Sequence, residues 1–401
     1  MTVFRYSGRS KTGALKKGII DATNKKVAIE KLRAQGINAR ELEESKSILH
    51  KDLAIGGNVK HQDFVIYCRQ YATLIRAGVS IVEATRILGS QSKSKPLKKA
   101  LEQVEEDIRG GLSFSDAATK HPKVFPPLFV NMMRSGEATG NIDNTLERLA
   151  MTFEKSYNIK KKVQSTMTYP AVLMVITIAV TFFLMIFIVP TFVGMFEDLG
   201  GEMPALTLFI LKISDFLIVY WWLILVVVIA AIVGFRMAYK GNKQFNYSVN
   251  LLLLRIPVFG PLLQKNVIAR MTRTLSSLFS SAVPILQALT IVEKVVGNPV
   301  VGKVVLEARE SLESGSTLSA PLEKSWIFPP LVTQMTAIGE KTGSLDYMLE
   351  KIADFYEDEV DRTVDTLKSL IEPLMIVFLA AVVGTIVMAI MMPMFAMYES
   401  M

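Results

Sequence analysis

Three stretches of the chain contain no charged residue: AVLMVITIAVTFFLMIFIV (Ala171–Val189), FLIVYWWLILVVVIAAIVGF (Phe216–Phe235) and LMIVFLAAVVGTIVMAIMM (Leu374–Met392). Each is about 20 residues long, and a helix rising about 1.5 Å per residue would match the ~30 Å hydrocarbon layer of a bilayer. Elsewhere apolar positions recur at helical spacing. Ile142, Leu146, Leu149, Ala150 and Phe153 fall at i, i+4, i+7, i+8 and i+11, with Glu147, Arg148, Glu154 and Lys155 on the other face. Leu345, Leu349, Ile352, Ala353 and Tyr356 repeat that series. Breaks at Gly78, at Gly110-Gly111 and before Pro126-Pro127 divide the first such region into about six helices, the pattern of a small bundle.

The series occurs twice because the chain is duplicated. RSGEATGNIDNTLERLA (Arg134–Ala150) and AIGEKTGSLDYMLEKIA (Ala337–Ala353) agree at eight of seventeen positions, 203 residues apart. At an offset of 203 or 204, RQYATLIRAGVSI (Arg69–Ile81) matches RTLSSLFSSAVPI (Arg273–Ile285), and FPPL recurs at Phe125–Leu128 and Phe328–Leu331. Tyr169-Pro170 at the head of the first apolar run matches Glu372-Pro373 at the head of the third. Pro190 and Phe192 match Pro393 and Phe395. Each unit is a polar region of roughly 110 residues followed by a membrane helix. The middle run has no counterpart, and topology requires it: an extra crossing returns the second copy to the side of the first.

The expected fold is mainly α, an integral membrane protein with three transmembrane helices and two repeated helical bundles. Residues 1–45 differ: FRYSGRSKTGALKKGIIDA reads as two strands around a turn, Asn24–Gln35 as a helix and INAREL as a third strand, a ββαβ module. The expected boundaries are a linker over 46–59, the first bundle over 60–168, and a span over 169–190. A short loop over 191–215, a span over 216–235, the second bundle over 236–372, a span over 373–393 and a tail over 394–401 complete the chain.

Charge sets the orientation. Lys155, Lys160, Lys161 and Lys162 precede the first span, and Arg236, Lys240, Lys243 and Arg255 follow the second. The loop between them carries Glu197, Asp198, Glu202 and Asp215 against Lys212. The positive-inside rule then places the N-terminus and both bundles in the cytoplasm and the C-terminus outside. The net charge of +8 expresses that topology and attraction to anionic lipid; no basic stripe interleaved with aromatics suggests direct nucleic-acid binding. MTVFRYSGRSK has no apolar h-region, so no cleavable signal peptide is expected. The single Cys68 rules out an intrachain disulfide framework, and His50, His61 and His121 are scattered, without metal-ligand spacing.

The doubled phrase supplies the main candidate residues. A helix ending at Gly136, a tight Thr139-Gly140 turn and a new helix capped by Asn141 make a helical hairpin; Gly339, Thr342, Gly343 and Ser344 repeat it. Gly140 and Gly343 are expected in the left-handed region open to glycine. Glu137 and Glu340 have two readings, a carboxylate bonded to amides or Thr hydroxyls of the turn, or a docking point for a protein or divalent cation. Asp143 and Asp346 sit in a first helical turn and favour its dipole. In FPPL, Phe125 and Phe328 look exposed, while Pro126-Pro127 and Pro329-Pro330 either open a helix or form a binding corner.

Enzyme signatures are absent. KTG at Lys11–Gly13 and Lys341–Gly343 and SKSK at Ser92–Lys95 resemble fragments of a penicillin-binding serine enzyme, but no SDN accompanies them and the first copy has ATG where the second has KTG. No P-loop G-x-x-x-x-G-K-[ST] occurs, so ATP use would have to come from a partner. The apolar runs hold no ionisable residue, which argues against a proton- or ion-coupled transporter. Small-x3-small patterns at Ala230/Gly234 and Ala380/Gly384 suit helix packing. Tyr169, Pro170 and Pro373 are expected to mark helix ends at the membrane. No catalytic residue, cofactor or metal site is expected.

The whole chain resembles the inner-membrane platform proteins of type IV pilus assembly and type II secretion, the secretion F / pilus assembly C family. The resemblance rests on the leading module with Phe4-x-Tyr6-x-Gly8, the doubled FPPL, the doubled G-E-x-T-G at Gly136–Gly140 and Gly339–Gly343, Tyr169-Pro170, and the loop PTFVGMFEDLGGEMPALT (Pro190–Thr207). It implies a non-enzymatic scaffold in the bacterial inner membrane, a dimer or higher homo-oligomer. The implied partners are a cytoplasmic hexameric ATPase, pilin or pseudopilin subunits and other inner-membrane machine components. The first bundle and the ββαβ module are expected to meet the ATPase. One departure is that Ser281-Ala282-Val283-Pro284 replaces Ala77-Gly78-Val79-Ser80, which points to specialised bundles. The alternatives are a type II secretion or DNA-uptake platform and, from another class, a transporter or receptor.

Overall fold

The computed structural model describes residues 2–10, 15–22, 25, 29, 37–44, 59–197 and 204–400 of the 401-residue chain. It divides into two units, residues 1–59 with 94–96 and the remainder. In the first unit, Thr2–Ser10 (β1), Leu15–Ala22 (β2) and Ile37–Glu44 (β3) form an antiparallel sheet of order β2-β1-β3. Phe4 stands opposite both Ile20 and Glu44, and the β1–β3 register slips between Ser7 and Gly8, a bulge at the strand's glycine. The helix expected over Asn24–Gln35 lies largely outside the described residues, as does nearly all of the expected linker.

The second unit is helical. His61–Arg76 (α1), Ile81–Gln91 (α2), Lys95–Arg109 (α3), Phe114–Thr119 (α4), Pro127–Thr139 (α5) and Ile142–Phe183 (α6) make up the first copy. The chain continues through a π-helical turn, Leu184–Ile188, into Val189–Glu197 (α7). Ala205–Gly241 (α8) and Lys243–Arg255 (α9) lead to the second copy: Phe259–Ser280 (α10), Ile285–Val295 (α11), Pro299–Glu313 (α12), Ser319–Lys324 (α13), Pro330–Thr342 (α14) and Leu345–Ser400 (α15). The order of α1 to α6 is that of α10 to α15. Among the described residues, three helical stretches are long and apolar enough to cross a membrane: Ile142–Phe192, Ala205–Gly241 and Leu345–Met392.

Several expected boundaries are overturned. Pro170 lies inside α6, and Pro190, Pro373 and Pro393 also lie within helices, so none of them marks a helix end. A proline removes one helical hydrogen bond and crowds the carbonyl four residues back; the surrounding helix absorbs that cost here. The bundle and the span are therefore one rod in each copy. The helix of the middle run opens at Ala205 instead of Phe216, so much of the expected loop is helical. The expected tail is helical as far as Ser400. An extra helix, α9, precedes the second copy and is bent by 112° from α10 at Val258, whose φ is +75°.

The two bundles share a plan and differ in filling. The first buries a ring cluster: Phe64, Tyr67, Tyr71, Phe114, Phe125 and Phe129 are at most 4% exposed. Phe125 stacks on Phe129 at 5.4 Å, and Phe64 meets Phe153 edge-on at 5.0 Å. Ile268, Leu278, Val292, Val301, Val332 and Ile352 form an aliphatic core in the second. Each such side chain contributes about 1.5–3 kcal/mol on burial, so both copies keep a dense interior with different side chains.

Candidate functional site at the seam between the copies

The glycine, glutamate and threonine positions of the doubled phrase are explained inside their own copy. α5 passes close to α6 at Gly136: a Cβ there would lie 2.7 Å from Thr145 Oγ1. At Gly339 it would lie 3.0 Å from Leu345 Cα. α5 ends at Thr139, three residues later than expected, with Gly140 left-handed at φ +70°; Gly343 has the same φ. The Asn141 amide reaches back to the Gly136 carbonyl at 2.9 Å and Ser344 to Gly339 at 3.0 Å, a Schellman closure. Thr139 and Thr342 bond their own helices at Ser135 and Ile338. Asn141 occupies the cap position, but its side-chain oxygen accepts from Asn144 instead of capping α6.

The acid of the phrase is a cap for a different helix. Glu137 accepts from the Phe114 amide at 2.7 Å and the Ser115 amide at 3.2 Å, while Ser113 takes the Asp116 amide at 3.1 Å. The three donors that open α4 are thereby satisfied, two of them from α5. Glu340 repeats this on α13, with the Leu318 amide at 2.6 Å and the Ser319 amide and hydroxyl at 3.3 and 3.2 Å. The sequence suggested amides of the turn itself; the amides belong to the preceding short helix. A carboxylate so occupied is not a free cation ligand, and no group of three or more His, Cys, Asp and Glu side chains among the described residues could hold a metal. Asp143 is exposed at the start of α6, and the Asp346 carbonyl accepts from Ser276 at 3.0 Å.

FPPL is structural as well. Pro127 and Pro330 open α5 and α14 from the Pro126 and Pro329 caps. Phe125 and Phe328, which look exposed in the sequence, are 1% and 5% exposed. The aromatic side chain fills the space that the proline corner closes over. Tyr169 is 58% exposed on α6, beside Pro170.

The sequence did not single out a second duplicated device, a charge lock on each long helix. Arg69 of α1 grips Glu154 with two nitrogens and Glu147 with a third at 2.7 Å. At the equivalent place Arg273 of α10 holds Glu357 with two bonds at 2.8 Å and also bonds Asp354. Arg69 and Arg273 are repeat equivalents, as are Glu154 and Glu357; an opposite-charge pair kept at matching offsets was the available signal. The Arg69 hydrogen bonds hold the Glu154 carboxyl below its ordinary value. For Asp354, burial acts upward, and the bonds from Lys155 and Arg273 outweigh it and lower the pKa.

The copies meet along α6 and α15. Lys155 of the first copy reaches Asp354 and Glu357 of the second, both at 2.8 Å. Lys162 reaches Asp361 at 3.4 Å and its own repeat equivalent Asp365 at 3.2 Å. Partner numbers rise together, so the two rods run parallel and nearly in register. Ile159 and Val163 pack between them against Leu262, Val360, Val364 and Leu367. Burial depresses the Lys155 pKa, and its two carboxylate partners more than reverse that. Between α5 and the second copy, Ser135 also donates to the Ser281 carbonyl and Gln287 donates to Asn131 at 2.9 Å. The specialised Ser281-Ala282 turn, with Ala282 left-handed at φ +57°, is thus tied to the other copy.

Two segments, residues 67–190 and 271–393, match the family described as type II secretion system (T2SS), protein F, and residues 1–43 match that protein's N-terminal domain. The chain is 40% identical to a type IV pilus assembly protein PilC of Thermus thermophilus, covering 98% of both chains. It is 37% identical to one of Myxococcus xanthus, over 98% of this chain and 94% of the other. To a type II secretion system protein F of Vibrio cholerae it is 32% identical over the full length of both. With two parallel copies of one bundle, each continuous with an apolar rod, the chain belongs to the type II secretion system protein F family.

Proposed function

We propose that this chain is the inner-membrane platform of a type IV pilus assembly machine, a non-enzymatic oligomer joining a cytoplasmic hexameric ATPase to the insertion or extraction of pilin subunits. The N-terminus and both bundles face the cytoplasm and the C-terminus lies outside. The observation that carries this reading is the continuity of α6 and α15 from bundle core into apolar segment, with Lys162 and Asp365 holding the rods in register. A movement imposed on a bundle would pass along its rod without a joint. The relatives at 40% and 37% identity are named for pilus assembly, which favours pili. The full-length secretion relative supports a type II secretion platform as the second reading, and DNA uptake belongs with it.

The experiment is a sidedness map in cells. Cysteines replacing exposed Asp143 and Lys341 should both be shielded from a membrane-impermeant maleimide in intact cells and both react after permeabilisation. Native Cys68 is buried and stays silent. Opposite sidedness of the two positions would overturn the topology. Deletion should abolish piliation, and an ATPase should co-purify with the full chain; loss of neither pili nor secretion would overturn the platform role.

A further inference from the structure

A cavity of about 470 Å³ opens at the seam, between α6 of the first copy and α10 of the second. Its wall includes His61, Ser156, Lys160, Asn266 and Arg270. Arg270 is half-buried, its guanidinium against Gly297. A Cβ on that left-handed glycine (φ +72°) would lie 3.1 Å from Arg270 Nη1, so the missing side chain leaves the guanidinium its place. One turn along α10, Arg273 has two carboxylates; the Arg270 guanidinium has no hydrogen-bond or ion-pair partner among the described residues. Burial presses its pKa down with nothing opposing. Among the described residues of the wall, the one carboxylate, Glu357, is already taken by Arg273 and Lys155.

A half-buried guanidinium without a partner carries part of the cost of desolvation, and an anion in the cavity would offset it. His61 stands under the influence of the same charges: burial first, then Lys160 and Arg270, holds its pKa below the ordinary value. None of the three groups is duplicated. The repeat equivalents of His61, Lys160 and Arg270 are Lys265, Thr363 and Ile66, and Lys265 is spent on Glu359 at 2.8 Å. Shared scaffolding recurs in both copies, whereas this constellation exists only where the diverged copies face each other.

We infer that the cavity between α6 and α10 binds a phosphate group through Arg270, Lys160 and His61, with Ser156 and Asn266 as further donors. The planar guanidinium offers a two-pronged grip, the lysine a point charge and the imidazole a hydrogen bond. Two cations without an ion-pair partner among the described residues match a phosphate dianion better than a single carboxylate. The phosphate belongs either to a small soluble phosphorylated molecule or to a phospholipid headgroup. Lys160 stands about 16 Å along the helix from Ala171, where the charge-free run begins.

The full chain in phosphatidylcholine nanodiscs, titrated with inorganic pyrophosphate by calorimetry, should bind saturably. R270Q should weaken binding about tenfold or more and K160Q about threefold to tenfold, while K303Q, on an exposed helical face, leaves it unchanged. R270Q removes an unpaired charge and should melt at or above the wild-type temperature, so lost binding would not be lost folding; exposed K160Q checks this independently. With phosphatidylglycerol in the disc, a headgroup occupant would lower the apparent pyrophosphate affinity, and native mass spectrometry would find one lipid retained by wild type but not by R270Q. A soluble occupant predicts equal affinity in both discs. Absence of saturable pyrophosphate binding in phosphatidylcholine discs, or binding indifferent to R270Q and K160Q, overturns the inference.

Discussion

The hydroxyl of Thr207 donates to the carbonyl of Ala389 at 2.8 Å, and that carbonyl is the one Pro393 leaves without its helical donor. A matching arrangement serves the first copy. In the π turn the Val189 amide reaches Leu184, five residues back. The next donor in that series would be residue 190, a proline, and its intended acceptor, Met185, receives the Ser214 hydroxyl instead. Thr207 and Ser214 are seven residues apart on α8, two turns along one face. The helix without a repeat counterpart therefore supplies both hydroxyls that the repeat prolines make necessary, and binds both rods around Met185, Val189, Ile210, Ile386 and Ala389.

Thr207→Val should cost about 1–3 kcal/mol, because the Ala389 carbonyl is then buried without a partner. Pro393→Ala restores the amide and should rescue most of that loss in the double variant. A thermal-melting double-mutant cycle in detergent reads the coupling. Additive effects would show that the hydroxyl and the proline are unrelated.

The two charge locks should differ in weight. The Arg273 side chain is 12% exposed and Arg69 36%. Arg273→Gln leaves Glu357 and Asp354 with Lys155 alone and should cost about 3 kcal/mol, whereas Arg69→Gln should cost no more than about 1 kcal/mol. Glu154 and Asp354 both titrate below their ordinary values when folded. Their stabilisation is full above about pH 4–5, where the unfolded groups are already ionised, and is lost as pH falls through the lowered folded values. Melting temperature against pH should therefore fall less steeply on the acid side in Arg273→Gln than in wild type. Parallel curves would refute the lock.

The spans and the duplication were legible because charge-free windows of membrane length and a seventeen-residue phrase at fixed offset are strong local signals. The left-handed Gly140 and Gly343 were legible for the same reason, since few residues other than glycine follow a helix in that way. The passage of α6 through Pro170 was not legible. Proline disfavours a helix locally, and only the continuing rod shows that the cost is met. Nor could periodicity pair Arg69 with Glu154 or Lys155 with Asp354; a charged residue on a helix face reads the same whether solvated or bridged. The exposure suggested for Phe125 failed because the proline corner is built around the ring, a relation across helices that FPPL alone does not carry.

Tyr67 offers a test of the aromatic core. Its ring stacks on Tyr71 at 5.5 Å, and its hydroxyl is buried without a hydrogen-bond partner among the described residues. Burial pushes its pKa well above 10. Tyr67→Phe removes an unpaired polar atom and keeps the ring, so it should stabilise the protein or leave it unchanged, by up to about 1 kcal/mol. A loss above about 1 kcal/mol in chemical denaturation would mean that the hydroxyl has a partner.

The two glycines of the doubled phrase should fail for different reasons, and the difference can be measured. Around Gly140 a Cβ would meet nothing within 4 Å, so only its φ of +70° resists substitution. Gly140→Asn should therefore be tolerated and Gly140→Val should cost about 1–2 kcal/mol, because a β-branched residue is poorly accommodated at positive φ. Gly136 is helical, so its backbone would accept alanine, but that Cβ would collide with Thr145. Gly136→Ala should cost about 1–3 kcal/mol, and Thr145→Ala, which removes the atom at 2.7 Å and leaves its Cβ at 3.0 Å, should recover part of it. The same Thr145→Ala change should do nothing for Gly140→Val. Rescue of both by one change would mean that the corner yields as a unit, and rescue of neither would remove the close crossing of α5 and α6 as the reason for the first glycine.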